Sequence, residues 1–163
     1  MRKGKNDYQT KMNDRDNNYS TYKSAFDMIF KYINVKNKNV YFPFYNEGII
    51  NSYKFDCNII HNDLDFFIET NIDFDVIVDN PPYTIKKEVI EKCIALNKPF
   101  ALLLPIDTLE RKYICNLFKD KDFSIIIPNE RYNFLNNNVK TTMPFKCCWF
   151  CIGFGLDTQI IFD

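Results

Sequence analysis

Residues 76–82, Val-Ile-Val-Asp-Asn-Pro-Pro, constrain the chain more than any other stretch. Three β-branched residues in a row, without polar alternation, predict a short strand buried on both faces, as in a parallel sheet. Two successive prolines then remove two backbone donors and fix φ twice, so neither strand nor helix continues through them. The chain is forced into a stiff turn that presents Asn80 and Tyr83 at the carboxyl end of a strand. In open α/β sheets ligands sit at that end.

The flanking segments fit the same architecture. Before the turn, "STYKSAFDMIFKYI" has Ala25, Phe26, Met28, Ile29, Tyr32 and Ile33 at helical spacing, with Ser20 as its expected cap. Strands are expected at 40–44 ("VYFPF"), 57–61 ("CNIIH") and 75–79, with one or two helical turns in "NEGIINSYKF". After the prolines come a helix over 85–96, a continuous apolar strand over 99–105, and a helix over 107–118 capped by Asp107. A strand at 123–128, a long polar loop over 129–144 and a last strand over 145–154 complete the chain. Alternating strands and helices imply a mostly parallel sheet with helices on both faces. The last strand follows a loop without helical pattern, so it is expected to insert antiparallel. Residues 1–18 are charged and almost free of aliphatic side chains, which predicts a flexible arm before one domain over 19–163.

Composition narrows the function. The 21 basic and 21 acidic residues cancel, so the chain lacks the basic footprint of a protein that holds long nucleic acid by itself. No apolar stretch is long enough to span a bilayer, and the polar N-terminus is no signal peptide. Six cysteines without secretory signals predict reduced thiols in an intracellular protein of the cytoplasm or nucleus. The abundance of Asn, Lys and Ile points to an AT-rich coding sequence of viral or protist type. No metal site is expected. Cys148 and Cys151 form a C-x-x-C, but residues three apart on a strand face opposite ways, and the single histidine, His61, has no second to join it.

The motifs together resemble a known family. Asn80-Pro81-Pro82-Tyr83 after an apolar strand, with "PFALLLP" one helix later, resembles the class I methyltransferases, and within them the enzymes that methylate the exocyclic N6 of adenine in DNA or RNA. The resemblance implies a Rossmann-like methyltransferase fold and S-adenosyl-L-methionine as cofactor, with Asn80, Pro81, Pro82 and Tyr83 as the catalytic motif. "FPFYNEG" is similar to the family's cofactor loop, which places Pro43, Phe44, Tyr45, Asn46 and Gly48 against the cofactor. "IIHNDLDFF" resembles the acidic segment that holds ribose and adenine through Asp63, Asp65 and Phe66. "YST" is similar to the Tyr-x-Thr segment that leads the first helix, which adds Tyr19 and Thr21 to the cofactor set, along with Asn80. Two positions depart from the pattern: Phe42 stands where an acidic residue is usual, and Asn46 replaces the first glycine of the pair.

The chemistry gives its own reason for these residues. The lone pair of an exocyclic ring amine is delocalised, so the amine is a poor nucleophile. Acceptors on its two hydrogens, the Asn80 side-chain carbonyl and the Pro81 backbone carbonyl, would draw nitrogen toward tetrahedral geometry and free that pair. Positioning supplies much of the rate, and Tyr83 offers a ring for an extruded base. The same tetrapeptide serves methylation of protein glutamine amides, and a degenerate scaffold or partner subunit is the competing reading. No segment is long enough for a separate target-reading module, so a partner subunit supplying recognition is expected. Arg131, Tyr132, Lys140, Thr141 and Thr142 in the 129–144 loop are candidates for backbone contact and base stacking.

Overall fold

The continuous apolar runs become the centre of the sheet. In the computed structural model, which describes residues 19–136 and 139–163, every residue of β4 (Val76–Asp79), β5 (Phe100–Pro105) and β9 (Cys147–Ile152) is buried. They lie in a seven-stranded sheet with β2 (Asn39–Tyr41), β3 (Asn58–Ile60), β6 (Phe123–Ile127) and β10 (Ile160–Phe162), in the order β10-β6-β9-β5-β4-β2-β3. All neighbours run parallel except β9, which lies antiparallel between β5 and β6. The expected antiparallel insertion is therefore present. It is not the end of the sheet, because Gly153 and Gly155, both at positive φ, turn the chain back into β10 beside β6.

Alternation along the buried strands still sorts side chains into two cores. Val76, Val78, Ala101, Leu103 and Trp149 meet Phe26 and Ile29 of α1 (Lys23–Ile29) on one face. Ile77, Leu102, Leu104 and Phe150 meet Val89, Ile90 and Cys93 of α2 (Lys86–Leu96) and Ile114 and Phe118 of α3 (Lys112–Phe118) on the other. Each fully buried aliphatic or aromatic side chain contributes about 1.5–3 kcal/mol, so both faces carry stability. Cys148 and Cys151 fall in opposite cores, as strand geometry requires, and all six cysteines are free thiols. Among the described residues no helix is long and apolar enough to cross a membrane.

Three local expectations are corrected. Ser20 does not cap α1: it lies in β1 (Tyr19–Thr21), whose pairing with β7 (Asn133–Asn136) outweighs local capping, and the helix starts three residues on without a side-chain cap. Asp107 does not start a continuous helix. Residues Ile106–Glu110 form a 3₁₀ helix, held by the Ile106 N–H donating to Lys146 O at 2.9 Å, and Arg111 is extended before α3 begins. The 129–144 segment is no simple loop, because β7 and β8 (Val139–Thr142) pair antiparallel and with β1 make a second, three-stranded sheet. Phe134, buried in the first core, anchors it.

The connection from β3 to β4 contains no helix, only turns, so this half of the sheet is short. Parallel pairing puts the carboxyl ends of β2, β3, β4, β5 and β6 on one edge, and the antiparallel β9 starts there.

Candidate active site

Asp79 ends β4, and the prolines turn the chain at that sheet edge. A 3₁₀ helix at Tyr83–Ile85 then leads directly into α2. Strand and helix fix Asn80 from both sides. Its side-chain Nδ2 donates to Thr21 Oγ1 of β1 at 2.8 Å. Its Oδ1 is buried and has no hydrogen-bond partner among the described residues. A buried acceptor left open costs about 1–3 kcal/mol, which makes this oxygen a prepared site for a donor.

Asp79, overlooked in the sequence reading, is the hub of the site. Its Oδ1 accepts the Asn80 backbone N–H at 2.8 Å and its Oδ2 that of Phe44 at 2.8 Å. One carboxyl thereby joins the proline turn to the loop after β2. Burial raises its pKa from 3.8 to about 7, against the lowering effect of those two N–H groups. A charged residue inside an otherwise apolar strand was the signal that could have marked it.

Tyr83 is half-buried, its ring edge-on to Phe145 at 5.9 Å and its hydroxyl 3.2 Å from Cys147 Sγ at the start of β9. Burial first, then the neighbouring Cys147, holds its phenol well above the ordinary tyrosine range. Pro81 is buried and Pro82 half-buried. Lys86 and Lys87 are engaged locally, with Lys86 Nζ donating to Tyr83 O at 3.3 Å and Lys87 pairing with Glu91 at 3.5 Å.

The loop after β2 is held from two directions. The His61 ring lies between the Phe42 and Tyr45 carbonyls, 2.8 Å from Nδ1 and 2.9 Å from Nε2, and stacks on Tyr45 at 5.0 Å. Pro43 is buried and Phe44 half-buried. Gly48 has φ +73°, and a Cβ there would come within 2.8 Å of the Tyr45 hydroxyl, so the turn requires glycine. Phe42, at the position of the expected carboxylate, is 0% exposed and packs on Phe26 and Phe55. Asn46 opens the 3₁₀ helix Asn46–Ser52; the side chains of Asn46 and Tyr19 lie outside the described residues.

The acidic segment is less uniform than an extended strand would make it. Asp63 is exposed, whereas Asp65 Oδ1 accepts the Phe67 N–H at 2.8 Å and caps a turn. Phe66 is 4% exposed and packs on Tyr41 and Phe44. Two further residues stand out. The Tyr41 hydroxyl and Asn62 Oδ1 are both buried without a partner among the described residues. Tyr41 ends β2, Asn62 follows β3 and Asn80 follows β4, so three neighbouring parallel strands each end near an unsatisfied polar atom. Burial chiefly, with Asp79, Glu69 and Asp65 nearby, pushes the Tyr41 phenol up to about 12, so it stays protonated and can donate.

The site thus gathers Thr21, Pro43 to Tyr45, Gly48, Asp79 to Tyr83 and the segment from Asn62 to Phe66 along one sheet edge, offering acceptors suited to amine and hydroxyl hydrogens. Compared with known proteins, the chain matches no protein-family model and no curated protein, and the site is read from its own residues.

Proposed function

We propose that the chain is an S-adenosyl-L-methionine-dependent N-methyltransferase with a Rossmann-like methyltransferase fold, acting on an exocyclic amine, adenine N6 in DNA or RNA. The observation that carries this reading is Asn80 Oδ1, buried and unpartnered beside the double proline while its Nδ2 is tied to Thr21. With the amide so oriented, Oδ1 would accept one amine hydrogen and the Pro81 carbonyl the other. Both bonds strengthen as nitrogen becomes tetrahedral, which is where a catalyst gains. Tyr83 supplies an aromatic wall for the base.

The residues fit the cofactor. The turn at Gly48 fixes the loop after β2 against Tyr45, and the open polar atoms of Tyr41 and Asn62 lie at the ends of β2 and β3. Pro43 to Tyr45 and Gly48 would hold its methionine part, and Asn62 with Asp63 its ribose. When bound, the cofactor supplies an electrophilic sulfonium methyl. The chain's own work is to present the amine and exclude water.

Calorimetry with S-adenosylmethionine and its demethylated product tests the reading, followed by transfer of labelled methyl to mixed DNA, RNA and protein. Heat with both ligands and label on nucleic acid are expected, and Asn80→Ala and Tyr83→Ala each should abolish most transfer. Full turnover by either variant sinks the amine clamp. Phe42, buried where a carboxylate is usual, favours a second reading as a non-catalytic scaffold or partner subunit. No heat and no transfer would select it, and label on protein glutamine would move the substrate to an amide.

A further inference from the structure

A groove of about 420 Å³ opens beside Tyr22, the residue that follows Thr21. It runs along α1 from Tyr22 to Lys31, against the segment leaving β6 and the β7–β8 strands, and Tyr22, Tyr132, Lys31, Arg131 and Lys140 line it. Two acidic residues, Glu130 and Asp163, also reach it. Asp163 is engaged, accepting from the Tyr32 hydroxyl at 2.9 Å and from Lys31 at 3.4 Å. Arg131 and Lys140 are exposed and form no ion pair among the described residues.

From this geometry we infer that the groove is a subsite for a single-stranded nucleic acid, taking the phosphate and base that flank the methylated residue. Position is the first reason. Tyr22 directly follows Thr21, the residue that holds the Asn80 amide, and the Pro128 end of β6 opens on the same sheet edge as Asn80. A strand with its target base at Asn80 therefore has its neighbour at the groove. Chemistry is the second. Arg131 and Lys140, two cations against Glu130, the one lining carboxylate without an ion pair among the described residues, lie beside the half-buried Tyr22 ring, which suits a ligand that alternates phosphate and planar base. Size is the third: the volume suits one nucleotide, at the low end of ligand pockets, and is too small for a duplex. Two free cations in one groove of a chain of zero net charge favour a short strand over a long one. The inference rests on the methyltransferase reading for its orientation, and binding tests it separately.

The experiment measures fluorescence anisotropy of a labelled twelve-nucleotide oligodeoxyadenylate with the full chain. The comparison sets Arg131→Ala/Lys140→Ala against Lys112→Ala/Lys119→Ala, exposed lysines of the α3 region. The groove pair should weaken binding about tenfold and lower the salt slope by about 1.4, roughly 0.7 per lost phosphate contact on a single strand. The α3 pair should change neither. Equal losses in both pairs, or none in the groove pair, overturn the assignment. Equal binding of the duplex form overturns the single-strand preference, and equal competition by polyglutamate reassigns the groove to acidic peptides. Cofactor calorimetry on the unmutated chain separates the two proposals: no cofactor heat, with strand binding that the groove pair still weakens, counts against the enzyme and leaves the groove standing.

Discussion

The Asp79 carboxylate and the Phe44 backbone N–H meet at 2.8 Å, and this bond couples the proline turn to the loop after β2. The two segments carry different parts of the site, so their relative placement depends on one buried carboxyl. Because burial raises its pKa to about 7 from 3.8, the folded chain binds its proton more tightly than the unfolded chain does. The stabilisation from protonated Asp79 is complete below the unfolded value and is lost as pH rises through the folded one. Between pH 4 and 7 the wild type should therefore lose up to about 4 kcal/mol relative to Asp79→Asn. Thermal unfolding of both across pH 4–8 measures this, and parallel profiles would contradict it.

If the chain is the proposed methyltransferase, Thr21→Val should cripple transfer without unfolding the protein. The change keeps shape but removes the Thr21 acceptor for Asn80 Nδ2, leaving the amide held by Tyr83 alone. The expected loss is about 10–100-fold in kcat, with cofactor affinity and Tm nearly unchanged, because a misplaced clamp affects only the reacting geometry. Thr21→Ser should restore turnover. A Thr21→Val enzyme that loses cofactor affinity instead would make Thr21 a cofactor contact.

Gly48→Ala and Gly155→Ala separate two costs of the same substitution. Both glycines have positive φ, but only at Gly48 does the added Cβ meet an atom closely, the Tyr45 hydroxyl at 2.8 Å. Gly155→Ala should cost about 1–2 kcal/mol from backbone strain alone, and Gly48→Ala more. Urea midpoints compare them; equal values would mean that Tyr45 moves aside freely.

Phe42→Glu, which restores the usual acidic residue, should destabilise rather than improve the protein. The site is closed by Phe26 and Phe55 at centroid distances of 5.6 and 6.0 Å, so the carboxylate would be buried without a partner. A loss of roughly 3 kcal/mol or more is expected in denaturant titration. Stable folding with tighter cofactor binding would show that the loop can open at this position.

What the sequence made legible follows from burial. Val76 to Val78 and Phe100 to Leu104 are apolar without alternation because both faces are covered, and such runs announce central strands. The hairpin was hidden for the opposite reason. Asparagine-rich and largely exposed, it shows only Phe134 and Leu135 as apolar residues in β7, and its partner β1 lies far away in the chain. The site divided along the same line. Asn80 and Gly48 were marked by local backbone chemistry. Asp79 carries a sequence signal, a charge in an apolar strand, whereas Tyr41 and Asn62 become visible only when parallel strands bring their ends together, and the Thr21 contact spans 59 positions.

That long span makes competence a matter of timing. Tyr19 to Thr21 pair with Asn136 to Phe134, a strand made only after β6, so the first described strand finds its place after nearly all the others exist. Closing so long a loop slows assembly more than it weakens the result. The second core needs nothing from β1, whereas the first is completed by Phe134, the residue that Thr21 pairs with. Fixing the Asn80 amide and closing the first core are therefore one event, so that the order of the candidate site reports on the last contact of that core rather than on the sheet.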